Sequence, residues 1–123
     1  MNKLITIEES LVGIDRYFTP RIIGEVNDVY VKLAKIKGQD VPWHSHDGED
    51  ELFYILDGSL VLKQKNCDDI NMAKGDMYIV EKGIIHRVYS SVECSIMLIE
   101  NKESKHTGDV ASSITKSIDD QQY

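Results

Sequence analysis

A chain of 123 residues is long enough to bury one core and too short for two. Its 41% hydrophobic and 28% charged fractions are those of an ordinary globular domain. Its 21 acidic against 14 basic residues leave a net charge of −7, which excludes a basic stripe of the kind that neutralises nucleic-acid phosphates. No apolar run approaches the roughly 20 residues that cross a bilayer, so neither nucleic acid nor a membrane is an expected partner. The opening MNKLITIEES is too acidic and too weakly apolar for a signal peptide. Cys67 and Cys94, with no short spacing between them, are expected as two reduced thiols in a cytoplasmic protein rather than as a disulfide.

In chain order, residues 4–19 admit two readings. Leu11, Ile14 and Phe18 suit a helical face, whereas LITI suits an edge strand; Pro20 closes the segment. From Ile22 the chain reads as short strands separated by turns. RIIGEVN is the first, and DVYVKLAKI alternates through Val29, Val31 and Leu33 before its period slips at Ala34-Lys35, the mark of a bulge. ELFYIL is almost wholly apolar, as in a strand covered on both faces. Asp57-Gly58 then reads as a hairpin turn, with SLVLKQ returning. After the polar loop NCDDIN come GDMYIVEKG, HRVYSS and CSIMLIE. Six or more strands, with turns at Gly38, Gly58, Gly75 and Gly83 and no helix-length pattern between them, predict an all-β sandwich or barrel. The polar end, ESKHTGDVASSITKSIDDQQY, offers only Val110, Ile114 and Ile118 as apolar anchors, enough for a short outer helix or a tail.

The chemistry concentrates in HSHDGEDELFYILDGS. Residues two apart on a strand project from one face, about 6.5–7 Å apart, and from there two imidazoles can meet on one ion at about 2.0–2.1 Å per bond. His44 and His46 have that spacing. The acidic turn DGED lets the chain reverse beside them, which would face Glu51 to the same point, with Phe53 and Ile55 continuing its parity. His86 opens a strand after the Gly83 turn, where an inward ring would complete three imidazoles and one carboxylate.

Gly38, His44, His46, Glu51 and Gly58 stand as G-x5-H-x-H-x4-E-x6-G, and Gly75, Gly83 and His86 as G-x7-G-x2-H. The two patterns resemble the paired motifs of the cupins, departing at Glu81, where the family usually has proline, and Ser90, where it usually has asparagine. The resemblance implies a double-stranded β-helix, a jelly-roll barrel, with a metal ion inside its open end held by His44, His46, Glu51 and His86. It also sets an organisation: residues 1–21 as an N-terminal segment, 22–101 as the barrel and 102–123 as a polar C-terminal tail or short helix. Three imidazoles suit a divalent transition metal (Fe, Mn, Ni, Zn or Cu) better than calcium or magnesium.

Each residue also has a plainer reading. Glu49 and Asp50 are rival carboxylates whose default is a solvated loop, and His106 lies in the polar tail. Phe53, Ile55, Met77, Ile79 and Val88 read as barrel core, and Trp43 as cover for the rim or a dimer contact. Tyr54, Tyr78 and Tyr89 read as packing residues with hydroxyls at the surface; Lys63, Lys82 and Arg87 read as solvated. Two functions follow from the site: a metal-dependent enzyme on a small polar metabolite, a sugar or oxo-acid, by isomerase, epimerase, lyase or dioxygenase chemistry, or a small-molecule binding module without turnover. Glu49, Asp50 or a tyrosine are the candidate bases. Leu52, Tyr54 and Leu56 lie opposite Phe53 and Ile55; one barrel buries only one of these sets, so a homodimer is expected, with the N-terminal segment at its interface.

Overall fold

The computed structural model describes residues 4–38 and 41–102. The expectations for the tail and for His106 lie outside them. The described chain forms one short helix, α1 (Ile7–Val12), then β1 (Arg21–Val26), β2 (Val29–Gly38), β3 (Glu51–Asp57), β4 (Ser59–Gln64), β5 (Ile70–Ala73), β6 (Met77–Val80) and β7 (His86–Asn101). LITI is not a strand, and the helix stops at Gly13, short of Ile14 and Phe18, both of which are buried.

Every pairing is antiparallel, and β7 organises them all. HRVYSS and CSIMLIE, expected as two strands, form this single 16-residue strand. Its first half pairs with β4, which carries β5 at its outer edge. Its second half lies between β2 and β3, extending to β1 on one side and β6 on the other. The register against β2 slips between Ile36 and Gly38, which pair with Cys94 and Ser90. At that irregularity β7 passes from one sheet to the other, the bend a bulge gives a strand. The slip expected at Ala34-Lys35 does not occur, because these residues pair continuously with Ile96 and Ser95.

The Asp57-Gly58 hairpin is a correction. β3 and β4 do not pair with each other; each pairs with a different half of β7. Gly58 is therefore a corner between sheets. It sits at φ +84, and a β-carbon there would lie 2.5 Å from the Glu93 carbonyl oxygen, so both conformation and space require glycine.

Side-chain parity decides what is inside. The inner rows run Glu51–Glu100–Tyr30, Phe53–Leu98–Lys32 and Ile55–Ile96–Ala34 across β3, β7 and β2. They are buried, as are Leu60, Leu62, Met72 and Val88 from the facing strands. On β2 the inner set is thus Tyr30, Lys32, Ala34 and Ile36, while the apolar alternation Val29, Val31, Leu33 belongs to the other face. Met77 and Ile79, expected in the core, are exposed at 58% and 46%. The pairings Glu51↔Val80 and Phe53↔Tyr78 turn Val80 and Tyr78 inward instead.

Candidate metal centre

The site forms where the two ends of β7 converge across the barrel. His86 is the first residue of β7. Glu51, first residue of β3, pairs with Glu100 near the end of β7. Contrary to the expectation from the sequence, the segment around His44 and His46 is not a strand beside β3. His44 makes a single bridge to His86, with both backbone N–H···O bonds at 2.9–3.0 Å, and the Gly83 amide donates to the His46 carbonyl at 2.8 Å. The acidic turn thus leads away from β3's own ladder and carries the two rings to the mouth of the other sheet.

His44, His46, Glu51 and His86 are all buried, and one donor atom from each lies within 4.8 Å of every other. The ring centroids of His44 and His86 are 4.4 Å apart. Glu51 Oε1 is 3.2 Å from His86 Nε2 and 3.4 Å from His46 Nε2. Two donors about 2.1 Å from one ion stand about 3.0–3.4 Å apart for octahedral or tetrahedral angles, so these separations fit a shared ion.

Hydrogen bonds to the backbone fix the rings. Nδ1–H of His44 donates to the Pro42 carbonyl at 2.7 Å, and Nδ1–H of His86 to the Ile84 carbonyl at 2.9 Å. Assigning these donors places the proton on Nδ1 and leaves Nε2 of each ring as a lone pair. His86 Nε2 then faces a carboxylate oxygen at 3.2 Å. Two acceptors hold that distance only with a cation between them, either a proton or a metal ion. Burial, with the neighbouring His86 adding to it, lowers the His44 pKa to about 4, which keeps that imidazole in its ligating form. Burial pushes Glu51 up, but the His46 and His86 rings beside its carboxylate prevail and hold it well below the usual carboxylate range.

Two residues that the sequence reading missed complete the surroundings. Glu100 lies beside Glu51, and Lys32 Nζ is 2.7 Å from Glu100 Oε1; all three are buried. Burial and the neighbouring Glu51 charge push Glu100 well above the ordinary range, against the pull of Lys32. Glu100 could have been found from its parity with Leu98 and Ile96. Lys32 carried no such signal.

The rival acids serve the loops. Asp50 Oδ1 accepts the Lys82 amide at 2.9 Å and Glu49 Oε2 the Gly48 amide at 3.0 Å; neither joins the cluster. Trp43 is half-buried under Lys65 and Arg87, whose cationic groups lie 4.8 and 5.4 Å from the ring centroid. Tyr54, Tyr78 and Tyr89 are half-buried, and Tyr78 accepts from Gln64 Nε2 at 3.4 Å. Ser90, in place of the usual asparagine, is buried and donates to the Ser59 carbonyl at 2.7 Å. Cys67 is exposed and Cys94 buried, both as free thiols. Among the described residues no helix is long and apolar enough to cross a membrane.

An antiparallel jelly roll with an inward cluster of imidazoles and one carboxylate defines a class, and comparison with known proteins gives the same answer. The family model for the cupin domain matches residues 34–100, and the chain belongs to that family. It is 35% identical over 83 residues to the uncharacterized protein YdbB of Bacillus subtilis (strain 168), covering 68% of this chain and 73% of that one. Its fold is similar to the crystal structure of a cupin-2 domain containing protein from Shewanella frigidimarina NCIMB 400, with 34% identity, 80% of this chain and 94% of that chain covered, and a TM-score of 0.76. For the crystal structure of protein NMB1881 from Neisseria meningitidis the values are 27%, 80%, 99% and 0.73.

Proposed function

We propose that this cupin holds one divalent transition metal ion (Fe, Mn, Ni, Zn or Cu) through His44, His46, Glu51 and His86, and that it is a metal-dependent enzyme acting on a small metabolite of the sugar or oxo-acid kind. The observation that carries this reading is the gathering of four buried donor atoms within 4.8 Å of one another, two of the imidazoles being aimed by backbone carbonyls. Three neutral rings and one carboxylate match a borderline transition ion rather than a hard cation. Once bound, such an ion supplies Lewis acidity toward neighbouring substrate oxygens or, for iron or copper, dioxygen activation. The chain's own part is to fix the rings through Pro42 and Ile84, to supply a single negative charge through Glu51 and to exclude water with the apolar wall around Phe53. Elemental analysis of purified protein tests the assignment: one equivalent of metal is expected in the native chain, and none in the His46→Ala/His86→Ala variant, which stays folded because the core lies below these rings.

One observation favours a second reading, a binding module without turnover. Glu49 and Asp50 are engaged by backbone amides, and the acid beside the cluster, Glu100, is held by Lys32. Screening the metal-loaded protein with sugars and oxo-acids for both turnover and thermal shift separates the two; a ligand that stabilises and is never converted favours the module. The reading includes a cytoplasmic homodimer joined through the N-terminal segment. Its supports are the free thiols and the exposed Leu4, Val12, Met77 and Ile79. Light scattering that finds a monomer at micromolar concentration refutes the dimer.

A further inference from the structure

A cavity of about 40 Å³ adjoins the four-residue cluster inside the barrel. Eleven residues line it, and only His44 and Glu51 among them are polar; the other nine include Phe18, Ala34, Ile36, Phe53, Val88 and Leu98. Phe18 reaches this wall from a backbone conformation, φ +55, that an aromatic residue rarely takes, and its amide is anchored on the Lys35 carbonyl at 2.9 Å. Phe53 meets His86 edge to face, 6.2 Å between centroids. The space suffices for roughly three to four water-sized groups.

Such a space discriminates by polarity. A hydroxyl moved in past His44 and Glu51 leaves water and finds no side-chain donor or acceptor among the nine apolar residues, so each one costs affinity. A methylene moved into it gains about threefold to fourfold in affinity. The polar partners stand at one end only. A divalent ion against the single Glu51 charge leaves that end with one net positive charge, while the Lys32 and Glu100 side chains form an ion pair of their own. The complementary group is one negatively charged oxygen head that can use two ligand positions.

From this we infer that the molecule taken at the centre is a small monoanionic chelator with a short apolar body, of the class of an aliphatic 2-oxo or 2-hydroxy acid, and not a polyhydroxylated sugar. The inference rests on the proposed metal site and chooses within the metabolite classes named above.

The test is calorimetric titration of the nickel-loaded full chain with unbranched 2-oxo acids of increasing length, from pyruvate to 2-oxooctanoate, and with fructose and ribose 5-phosphate. Affinity is expected to rise about threefold to fourfold per methylene over the first two or three additions and then to stop rising, with neither sugar binding at millimolar concentration. A flat series, a sugar that binds more tightly than every oxo acid, or no oxo acid binding to loaded protein overturns the inference while leaving the metal site standing. A chain that takes up no nickel, by contrast, fails at the proposed function itself. Ala34→Leu fills the cavity and is expected to remove the gain with chain length while nickel uptake is retained. Leu98→Ala enlarges it and should move the optimum to longer acids, a second check should the larger side chain prevent folding. An unchanged length optimum in a folded variant of either kind counts against the cavity as the ligand's seat.

Discussion

Lys32 Nζ stands 2.7 Å from Glu100 Oε1, and solvent reaches neither side chain. The register explains the meeting. Glu100 pairs with Tyr30, and Lys32, two residues along β2, is its diagonal neighbour on the inner face; Glu51 is its partner on the other side. The barrel interior thus places two carboxylates side by side and one ammonium against the second of them. Removing one member of a buried pair strands the other's charge, at a cost of about 3–5 kcal/mol, whereas replacing both by apolar groups costs far less. Lys32→Met is therefore expected to destabilise by about that amount, and Lys32→Met/Glu100→Leu by less than either single change, as measured by urea unfolding. A double variant that loses the sum of the two single losses would show that the pair is not coupled.

The metal-free protein is expected to lose stability as pH falls from about 6.5 toward 4. His44 has a folded pKa of about 4 against an ordinary value near 6.5, so across that window the unfolded chain takes up a proton that the folded one refuses. The loss is on the order of 3 kcal/mol when the window is fully crossed. Glu51, held low by its imidazole partners, contributes stability that is present above its unfolded value and lost only at still lower pH. Glu100, pushed up, runs the other way: its contribution is complete below its unfolded value and is lost as pH rises through the folded one. Comparing urea unfolding at pH 7 and 4.5 for the native chain and His44→Gln isolates the first effect. The acid-side loss should shrink in the variant, and an equal loss in both would assign it to other groups.

The clustering of His44, His46, Glu51 and His86 was legible because their chemistry shows in residue type and spacing. Imidazoles two apart, a carboxylate five further on and a third imidazole behind a glycine turn point to one ion before any fold is known. The barrel was legible from strand length and turn residues. What failed depends on pairing across long separations. Met77 and Ile79 looked internal because they are apolar, but the register against β3, set some 25 residues earlier, turns Tyr78 and Val80 inward. Asp57-Gly58 looked like a hairpin because the turn is local, whereas the partner of both flanking strands is β7. Lys32 gave no signal, because lysine is nearly always solvated; only the position of Glu100, 68 residues on, makes its burial tolerable.

Metal should stabilise the native chain and leave Glu51→Gln unmoved. An ion that binds only the folded state adds about 2.7 kcal/mol to unfolding at a hundred times its Kd. Glu51 is the one carboxylate in the donor group, and an amide in its place keeps the shape while removing the charge that draws a divalent cation. The measurement is the unfolding midpoint without metal and with zinc or nickel at a hundred times the Kd of the native chain, alongside circular dichroism to show that the variant is folded. A variant that gains as much as the native chain would show that Glu51 is not needed to hold the ion.

Gly58 and Gly38 both sit in the left-handed region, at φ +84 and φ +79, but only one of them is crowded. At Gly38 nothing among the described residues stands within 4 Å of an added β-carbon, so Gly38→Ala meets conformational strain of about 1–2 kcal/mol. At Gly58 the same carbon would lie 2.5 Å from the Glu93 carbonyl oxygen and 3.0 Å from the Cys94 α-carbon. That backbone cannot retreat cheaply, since Cys94 is buried and pairs with Ile36 where β7 crosses between sheets. Gly58→Ala is therefore expected to cost clearly more than Gly38→Ala in urea unfolding. It should also lower metal affinity, because the corner sets how the β3 sheet that carries Glu51 meets the β4 sheet that pairs with His86. Equal losses for the two variants would mean that the corner tolerates a side chain and that the close approach of β7 to Gly58 does not hold the two sheets in place.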